Sequence, residues 1–420
     1  LEGVKSIGWV DECFMIDEPV EKVVSRLRPD IVVKGKEHMA HFNPEQQVVD
    51  EYGGSLIFCS GESTFSSVDL LRKEFYETIS NDIYLPVNYM LRHGIESERL
   101  VELLGQISQL SVCVVGDLII DEYITCEPLG MSQEEPTIVV TPIDTTQFLG
   151  GAGIVAAHAA GLGAKVDLVT VSGVDASSHL ARDKLQEAKV YAHIIEDDSR
   201  PTTLKQLFRS KGKSLLRVSH LHQNVITPKL QAKVVDICES IMPRADLLVF
   251  SDFNYGCLPQ DVVNAVTHSA KVNDVMLVAD SQSSSQTGDI GRFKHMDLLT
   301  PTEHEARIST RNREDGLVVL AEELRRQSEA RNILLKLGEE GVLIHAADDQ
   351  RQTDRICALN QAARDVAGAG DSLLIVTALA LKCGAKIWEA ACLGSLAAAI
   401  QVGRVGNTPL QAKELLVELE

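Results

Sequence analysis

Hydrophobic and polar residues follow two different patterns along most of the chain after residue 110. Short runs of consecutive apolar residues, rich in β-branched types, are typical of strands buried on both faces of a sheet. Longer stretches between them repeat apolar residues every three or four positions, which is the period of an amphipathic helix. The predicted strands are residues 111–120, 166–171, 246–251, 275–280, 297–300 and 333–337, and the predicted helices are residues 156–162, 177–188, 228–241, 259–272, 315–331, 371–383 and 387–402. This order predicts an α/β fold with a doubly wound, mostly parallel sheet.

Two segments depart from this order. Residues 138–148 and 204–218 alternate polar and apolar positions without a helical period, which predicts an exposed β lid. Nearer the N-terminus, strands at 31–35 and 54–60 with a helix between them predict a separate small α/β domain. The predicted organisation is a first domain at 1–80, a helical connector at 81–110 and a larger domain at 111–420.

Composition and charge exclude several classes of protein. The chain is 45% hydrophobic and 24% charged, as in ordinary globular proteins rather than disordered or collagen-like ones. Its 60 acidic and 40 basic residues give a net charge of −20, which argues against binding to a nucleic-acid backbone. The longest strongly apolar stretch, at 373–381, is shorter than the ~20 residues of a membrane-spanning helix, and no secretory signal is evident at the start.

The nine cysteines lie far apart and include no Cys-x-x-Cys pair. This spacing argues against a zinc site, and a disulfide framework is not expected in so large a chain. We therefore predict reduced thiols in a cytoplasmic protein.

The segment DVAGAGD at 365–371 precedes a long apolar helix. Its glycines permit a tight turn, so that the backbone amides of Gly368, Ala369 and Gly370 converge at a helix N-terminus, where unpaired donors attract an anion. Asp371 would then lie beside a bound phosphoryl group, in position to take a proton from an attacking hydroxyl. The alternative is that the aspartate only caps the helix.

A second glycine cluster, GGAGIVA at 150–156, contains the Gly-x-Gly-x-x-Ala pattern of dinucleotide-binding folds. That pattern requires a buried strand directly before the first glycine. The preceding TPIDTTQF is too polar for such a strand, which argues against a dehydrogenase. A close contact between a helix and a sheet, made by small residues, stays open as the alternative.

Six segments occur in a characteristic order: VVGDLIIDEY, LGGAGIVAAHAAGLGAKVDLVTVSGVD, FSDFNYG, TPTEHE, LKLGEEG and DVAGAGDS. From residue 111 to the C-terminus the chain thereby resembles the phosphofructokinase-B (ribokinase) superfamily of sugar kinases. The greatest similarity is to the heptose 7-phosphate kinase half of bifunctional ADP-heptose synthases. The resemblance implies ATP and Mg²⁺ as cofactors, leaves a requirement for K⁺ open, and implies a homodimer joined through the lid.

The resemblance also implies roles for individual residues. Asp371 would be the catalytic base, and residues 368–370 would form the anion hole. The residues implied on the nucleotide side are Thr302, Glu305, Lys336, Gly338 and Gly341, with Glu305 organising Mg²⁺ through water. The residues implied on the sugar side are Asp121, Gly150, Gly151, Lys205 and Asp252. Simpler alternatives are that Glu305 is solvated helix surface, that Lys336 points outward and that Asp121 only forms a turn.

Four positions depart from the family pattern. Ile154 stands where the sugar-binding motif has Asn, and Thr302 stands where Asn begins the metal motif. Tyr255 and Gln282 replace lysines of the heptose kinases. Loss of an amide removes a hydrogen-bonding group, and loss of two cations weakens the binding of a second phosphate. The catalytic groups are retained, whereas the sugar is left open.

The first 80 residues resemble the later half of a cytidylyltransferase-like nucleotidyltransferase, through RPDIVVKGKEH, EYGG and SGESTFSS. This resemblance implies that Lys34 lies near phosphates and that Ser63 and Thr64 lie near a nucleotide. The His-x-x-His pair of that family precedes the Lys-Gly motif, whereas here His38 and His41 follow it and are interpreted as loop residues. We therefore expect an incomplete domain with exposed sheet edges and no nucleotidyl transfer.

The resulting hypothesis is a cytoplasmic kinase that transfers phosphate from ATP to a sugar or sugar phosphate, in support of nucleotide-sugar formation. Its expected partners are these small molecules and a second copy of the chain, with no nucleic acid and no membrane. Two alternatives stay open. One is a non-catalytic sugar or nucleotide sensor, and the other is a protein whose main activity is nucleotidyl transfer by a complete N-terminal domain.

Overall fold

The computed structural model of the chain describes residues 12, 14–16, 18–35, 43–59, 83–283, 288–347, 352–360 and 362–419. The chain forms two compact units, Leu1–Glu77 and Thr78–Glu420. Among the described helices, none combines the length and the hydropathy that a membrane span requires.

The first unit contains two parallel strands and two helices. Their bounds are α1 Val20–Leu27, β1 Ile31–Gly35, α2 Pro44–Tyr52 and β2 Ser55–Cys59. Val49 of α2 is fully buried, whereas Ile31, Val33 and Ile57 are exposed. Because residues two apart along a strand share a face, these three apolar side chains lie together on one face of the sheet.

The second unit contains a nine-stranded sheet. Its strands are β3 Ser111–Gly116, β6 Lys165–Ser172, β7 Tyr191–Glu196, β10 Leu247–Asp252, β11 Met276–Ser281, β12 Leu298–Leu299, β13 Asn332–Lys336, β14 Val342–Ala346 and β15 Thr353–Ile356, in the spatial order β15-β14-β13-β12-β11-β10-β3-β6-β7. All neighbouring pairs from β7 to β13 are parallel, and β14 and β15 are antiparallel. The predicted doubly wound, mostly parallel sheet is confirmed.

Helices cover both faces of this sheet. The helices are α3 Val87–His93, α4 Ser97–Gln106, α5 Ala152–Gly161, α6 Ala176–Glu187, α7 Pro228–Ile241, α8 Gln260–Val272, α9 Glu303–Thr310, α10 Leu317–Ser328, α11 Ala369–Lys382, α12 Ile387–Val402 and α13 Ala412–Leu419, with short 3-10 turns at Ile107–Gln109, Met242–Arg244, Ile290–Arg292 and Gly338–Glu340. Along β3, Val112 and Val114 belong to one hydrophobic core, and Cys113 and Val115 belong to the other. This alternation places one core on each side of the sheet.

The stretch predicted as a connector at 81–110 is largely helical, and it packs into the first of these cores. Leu100, Leu103 and Ile107 are completely buried there. Its helices therefore stabilise the larger unit.

A separate four-stranded sheet forms the lid. Its strands are β4 Leu118–Met131, β5 Ile138–Gly151, β8 Thr203–Ser210 and β9 Lys213–His220, in the order β5-β4-β8-β9. The lid predicted at 138–148 and 204–218 is confirmed, and it also includes β4.

The prediction of one strand at 111–120 was wrong, because the chain leaves the central sheet after Gly116. A Cβ atom at Gly116 would lie 1.9 Å from the carbonyl oxygen of Ser251. The next residue, Asp117, is buried, and its carboxylate accepts hydrogen bonds from the backbone amides of Phe253, Tyr255 and Cys257. This close approach and the buried carboxylate redirect the chain, so that β4 starts in the lid.

Several other elements were not predicted. Strands β7 and β15 are the two edge strands of the sheet, and their sequences mix polar with apolar residues. Strand β14 lies between β13 and β15 and is buried. Helix α9 is short, and the helix predicted at 315–331 covers only residues 317–328.

Candidate active site

Two cavities meet at the glycine-rich segment that precedes α11. The larger cavity has a volume of about 410 Å³ and extends from the ends of β13 and β14 to α12. The smaller cavity, about 150 Å³, lies between the lid and the loops that follow β10 and α12. Both cavities are lined by Gln282, Ala367, Gly368 and Asp371. A molecule in one cavity can therefore reach a molecule in the other at these residues.

The glycine turn is held from both sides. Gly368 has φ +74° and caps α11, which begins at Ala369. The carboxylate of Asp365 accepts hydrogen bonds from the amides of Ala367 and Gly406, each at 3.1 Å, and from the Tyr123 hydroxyl of the lid at 2.8 Å. The turn is thereby fixed to the lid and to the loop after α12.

The three amides expected to form the anion hole lie at the start of α11, where helical N–H groups lack intrahelical acceptors. The amide of Ala369 donates to the Val366 carbonyl at the long distance of 3.4 Å. Gly368, Ala369 and Gly370 all line the larger cavity. The helix N-terminus is thus open toward a space where an anion fits.

Asp371 lies where the two cavities join. Only 6% of its surface is exposed, and its Oδ1 accepts a hydrogen bond from the Gln282 side-chain amide at 3.2 Å. Burial, helped by the negative charge of Asp280, raises the pKa of Asp371 to about 7, against the opposing influence of Lys336. A carboxyl group with such a pKa can accept and release a proton near neutral pH. The alternative of a mere helix cap does not explain its position between two cavities.

Lys336 points into the site, so the alternative of an outward side chain was wrong. Its Nζ donates to Oδ2 of the buried Asp280 at 2.8 Å. A Cβ atom added to Gly370 would lie 3.2 Å from the same Nζ. The ammonium group therefore lies against the glycine turn, in a position to contact an anion held there. Gly338 and Gly341 line the same cavity.

Glu305 is buried, so the alternative of a solvated helix surface was also wrong. Its Oε2 accepts from the backbone amide of Thr302 at 2.7 Å, and its Oε1 accepts from the amide of Ser283 at 2.9 Å. The Thr302 hydroxyl in turn accepts from the Glu305 amide at 3.2 Å, which completes a capping box at the start of α9. Both residues line the larger cavity.

The smaller cavity combines polar groups from the lid with groups from the central domain. Asp121, Gly151 and Lys205 line it, as expected for a sugar site. The Nζ of Lys205 lies 5.0 Å above the Phe253 ring and 5.2 Å above the Tyr255 ring. Gly150 does not appear among the residues lining the two cavities, but a Cβ atom there would lie 2.4 Å from Oδ2 of Asp121. A side chain at position 150 would displace this carboxylate.

Asp252 is not brought to either cavity described here. Its Oδ2 accepts from Arg292 at 2.8 Å and from the Ser281 hydroxyl at 2.7 Å, and its Oδ1 accepts from the Asn254 amide at 3.1 Å. The side chain is 2% exposed and these contacts occupy both of its oxygens. In this structure Asp252 therefore orders the loops that follow β10 and β11.

The residues expected at a nucleotidyltransferase-like site lie in the first unit. Lys34 Nζ donates to Oδ1 of Asn43 at 2.8 Å and forms an ion pair with the buried Glu45. Ser63 and Thr64 lie outside the described residues.

Sequence reasoning missed several residues of the site. Asp280 is the second-last residue of the buried strand β11, at the carboxyl end where ligands bind in parallel sheets, and this signal was available. Arg217 and Asn407 also line the smaller cavity, but no local motif distinguishes them. Only the fold brings β9 and the loop after α12 to this place.

The Gly-x-Gly-x-x-Ala pattern is not a dinucleotide site. The strand before it, β5, belongs to the lid, and its last residue Gly151 precedes α5 directly. Helix α5 is almost entirely buried, and a Cβ atom at Gly153 would lie 3.0 Å from a methyl group of Leu118. The small residues permit close packing of α5, as the alternative interpretation stated.

Among the described residues, no group of three or more His, Cys, Asp or Glu side chains is arranged to hold a metal ion. The arrangement offers the ammonium groups of Lys336 and Lys205, an open helix N-terminus and a buried proton acceptor. Chemically, these groups can bind a phosphate chain and remove a proton from a hydroxyl.

The sequence of the larger unit is similar to that of proteins called HldE. The chain is 29% identical to the bifunctional protein HldE of Geotalea uraniireducens over 328 residues, which cover 77% of this chain and 66% of that protein. It is 30% identical to HldE of Desulfatibacillum aliphaticivorans over 317 residues, which cover 74% and 64% of the two chains. The chain thus spans slightly less than two thirds of the length of these relatives.

Solved structures share the fold. Arabidopsis thaliana ribokinase in complex with ribose and ATP superimposes with a TM-score of 0.59 at 19% identity, and the match covers 74% of this chain and 99% of that one. Escherichia coli phosphofructokinase-2 in complex with fructose-6-phosphate gives a TM-score of 0.60 at 15% identity, with the same coverage. The family model of pfkB carbohydrate kinases matches residues 109–413. The chain therefore belongs to the pfkB family of carbohydrate kinases.

Proposed function

We propose that this protein transfers the terminal phosphoryl group of ATP to a hydroxyl of a phosphorylated sugar, with a heptose 7-phosphate as the substrate class. The observation that carries the proposal is the position of Asp371, a buried carboxyl group with a pKa near 7 at the junction of two cavities. Family membership implies a carbohydrate kinase that uses ATP and Mg²⁺. The kind of sugar is the part that we propose.

The site has the features that ATP and Mg²⁺ require. Absence of a side chain at Gly368 and Gly370 leaves a cradle beside the Lys336 ammonium group, where phosphate oxygens would bind. Mg²⁺ prefers oxygen ligands and keeps several of its waters, so the buried Glu305 carboxylate suits a water-mediated contact. When bound, the ion would neutralise charge on the phosphate oxygens.

In the proposed reaction, Asp371 accepts the proton of the attacking sugar hydroxyl. The oxygen of that hydroxyl forms a bond to the terminal phosphorus of ATP, and the bond from this phosphorus to the bridging oxygen of ADP breaks. The amides of residues 368–370 and the Lys336 ammonium group stabilise the negative charge of the transferring group. Gln282 orients the carboxylate through its hydrogen bond to Oδ1.

Two cations in the smaller cavity support a phosphorylated acceptor. Lys205 and Arg217 both line this cavity, and both come from the lid. Lys205 lies over two aromatic rings and forms no ion pair among the described residues, although its charge opposes the rise in the pKa values of nearby Asp121 and Asp371. These cations offset the loss of lysines at 255 and 282, where Tyr255 and Gln282 stand. The heptose class comes from the resemblance of residues 111–420 to heptose 7-phosphate kinases, and the relatives reported above are called HldE.

The proposal also includes a link to nucleotide-sugar formation and a homodimer, and it leaves a requirement for K⁺ to be tested. A link to nucleotide-sugar formation rests on the resemblance of the first 80 residues and on relatives called bifunctional. A homodimer is supported by the exposed apolar residues Leu129, Met131, Ile138 and Leu216 on the lid, whose edge strands β5 and β9 have no further neighbour among the described strands. A requirement for K⁺ is tested by replacing it with Na⁺ in the assay.

The test measures ADP release with Mg·ATP over a panel of hexoses, heptoses, hexose 6-phosphates and heptose 7-phosphates. We expect the highest kcat/KM for a heptose 7-phosphate, and a phosphorylated product by mass spectrometry. Asp236→Asn, on the exposed face of α7, serves as a matched control for Asp371→Asn. Preference for an unphosphorylated sugar would contradict the proposed substrate class. Tight binding of a sugar without turnover would instead support the non-catalytic sensor.

A further inference from the structure

The loop after α12 places one amide side chain in the smaller cavity. Asn407 is 5% exposed and lines this cavity together with Asp121, Gly368 and Asp371. The preceding Gly406 has φ +75°, its amide donates to Asp365 at 3.1 Å, and its carbonyl accepts from the Gln401 side chain at 2.9 Å. The backbone that carries Asn407 is therefore fixed.

The orientation of the Asn407 amide follows from its partner. Its Nδ2 donates to Oδ2 of Asp121 at 2.8 Å. Because the amide nitrogen donates to Asp121, Oδ1 points the other way. A Cβ atom added to Gly368 would lie 2.3 Å from Oδ1, so the carbonyl oxygen faces the start of the glycine turn.

No described residue donates a hydrogen bond to Oδ1 of Asn407, although this atom is buried. An unsatisfied buried acceptor is costly, so a donor from a ligand is the expected compensation. The position where a sugar-binding amide was expected cannot provide this contact. Ile154 there is apolar and completely buried in the core.

We propose that Asn407 determines which sugars are accepted. Its Oδ1 accepts a hydrogen bond from a second hydroxyl of the acceptor, distinct from the hydroxyl that Asp371 deprotonates. This inference rests on the proposed function for the nature of the ligand. A site built to accept from a hydroxyl discriminates strongly against an analogue without it, because the buried acceptor is then left unpaired.

The experiment is a double-mutant cycle between the protein and the ligand. The probes are a heptose 7-phosphate and its monodeoxy analogues, each of which lacks one hydroxyl, and binding in the presence of ADP is measured by calorimetry. The proteins are the wild type, Asn407→Ala, the isosteric Asn407→Leu, and Asn264→Ala on the exposed face of α8 as a control. Thermal unfolding shows which variants are folded. If Asn407→Leu does not fold, the cycle uses Asn407→Ala.

We expect one monodeoxy analogue to bind the wild type about 10- to 100-fold more weakly than the parent sugar phosphate, because a hydrogen bond is lost to a buried acceptor. Asn407→Ala should weaken binding of the parent by a similar factor and leave that analogue nearly unchanged. An equal loss for every compound would mean that Asn407 acts only through Asp121, and it would overturn the inference. Equal binding of all compounds by the wild type would overturn it as well. Coupled binding without phosphoryl transfer would overturn the proposed function but support this inference.

Discussion

The two cavities differ in how their polar groups are satisfied. In the larger cavity, Lys336 is paired with Asp280, and both oxygens of Glu305 accept backbone amides. In the smaller cavity, Oδ1 of Asn407 has no donor among the described residues, and Lys205 lies over aromatic rings.

This difference has a physical meaning. Groups that stabilise a transition state act best when internal contacts hold them in place before the substrate arrives. Groups that select a substrate act best when the ligand supplies the missing partner, because an incorrect ligand then leaves them unsatisfied. Lys336 and Glu305 at the larger cavity are accordingly preorganised, whereas Oδ1 of Asn407 at the smaller cavity is left without a donor among the described residues.

The largest expected effect comes from Asp371→Asn. The amide cannot take a proton, so kcat should fall by about 10²- to 10⁴-fold, the usual contribution of a general base. Affinity for ATP, measured by calorimetry, should change little, since the cradle at 368–370 and Lys336 are intact. Asp236→Asn should keep wild-type turnover. A variant at 371 with normal kcat would refute the assignment of the base.

Gly368→Ala should disturb both cavities together. The residue has φ +74°, which costs a side chain about 1–2 kcal/mol, and the new Cβ atom would lie 2.3 Å from Oδ1 of Asn407. We expect kcat/KM to fall by about 100-fold, because small misplacements of reacting groups are expensive. Gly212→Ala, in an open lid turn with φ +75°, tests the strain alone. Equal losses in the two variants would mean that contact with Asn407 is unimportant.

The pH dependence of kcat/KM tests the assignment of Asp371 as the base. Only the ionised form of Asp371 can accept a proton, and burial raises the pKa of this group to about 7. In the free enzyme, kcat/KM should therefore fall about tenfold per pH unit below pH 7 and level off above it. A plateau that continues down to pH 5 would show that the group titrates like an ordinary exposed carboxylate.

Lys205→Met tests whether the smaller cavity selects a phosphorylated substrate. Loss of a charge-assisted contact should raise KM for a phosphorylated acceptor by about tenfold or more, with a smaller change for an unphosphorylated sugar. Arg217→Met should act in the same direction. Lys233→Met, on the exposed face of α7, is the control. Equal changes for both kinds of sugar would remove the support that these cations give to a phosphorylated substrate.

The smallest effect is expected for Thr302→Ala. The capping box loses one hydrogen bond, which should lower the free energy of unfolding by about 1 kcal/mol in denaturant titrations. Glu305 is still held by the Ser283 amide, so KM for ATP should stay within about threefold. A much larger rise in KM would indicate that the Thr302 hydroxyl contacts the nucleotide or its ion.

The sequence predicted the parallel sheet, the lid and the glycine turn that precedes α11. Continuous apolar runs such as 247–250 are typical of strands buried on both faces, and the glycine turn before Asp371 depends on local backbone freedom. These features are encoded within a few neighbouring residues. The sequence did not predict that the chain leaves the central sheet after Gly116, because this depends on the carbonyl of Ser251, 135 residues away.

What the sequence determined by itself is thus the periodicity of the strands and helices and the glycine turn that opens α11. Only the tertiary structure decided that Lys336 faces inward, that Asp252 is occupied by Arg292 and that Asn407 enters the smaller cavity. Hydrophobic periodicity specifies which face of an element is buried, but it carries no information about which distant polar groups meet. Burial then changes the chemistry of those groups, as the pKa of Asp371 illustrates, because desolvation depends on everything packed around them.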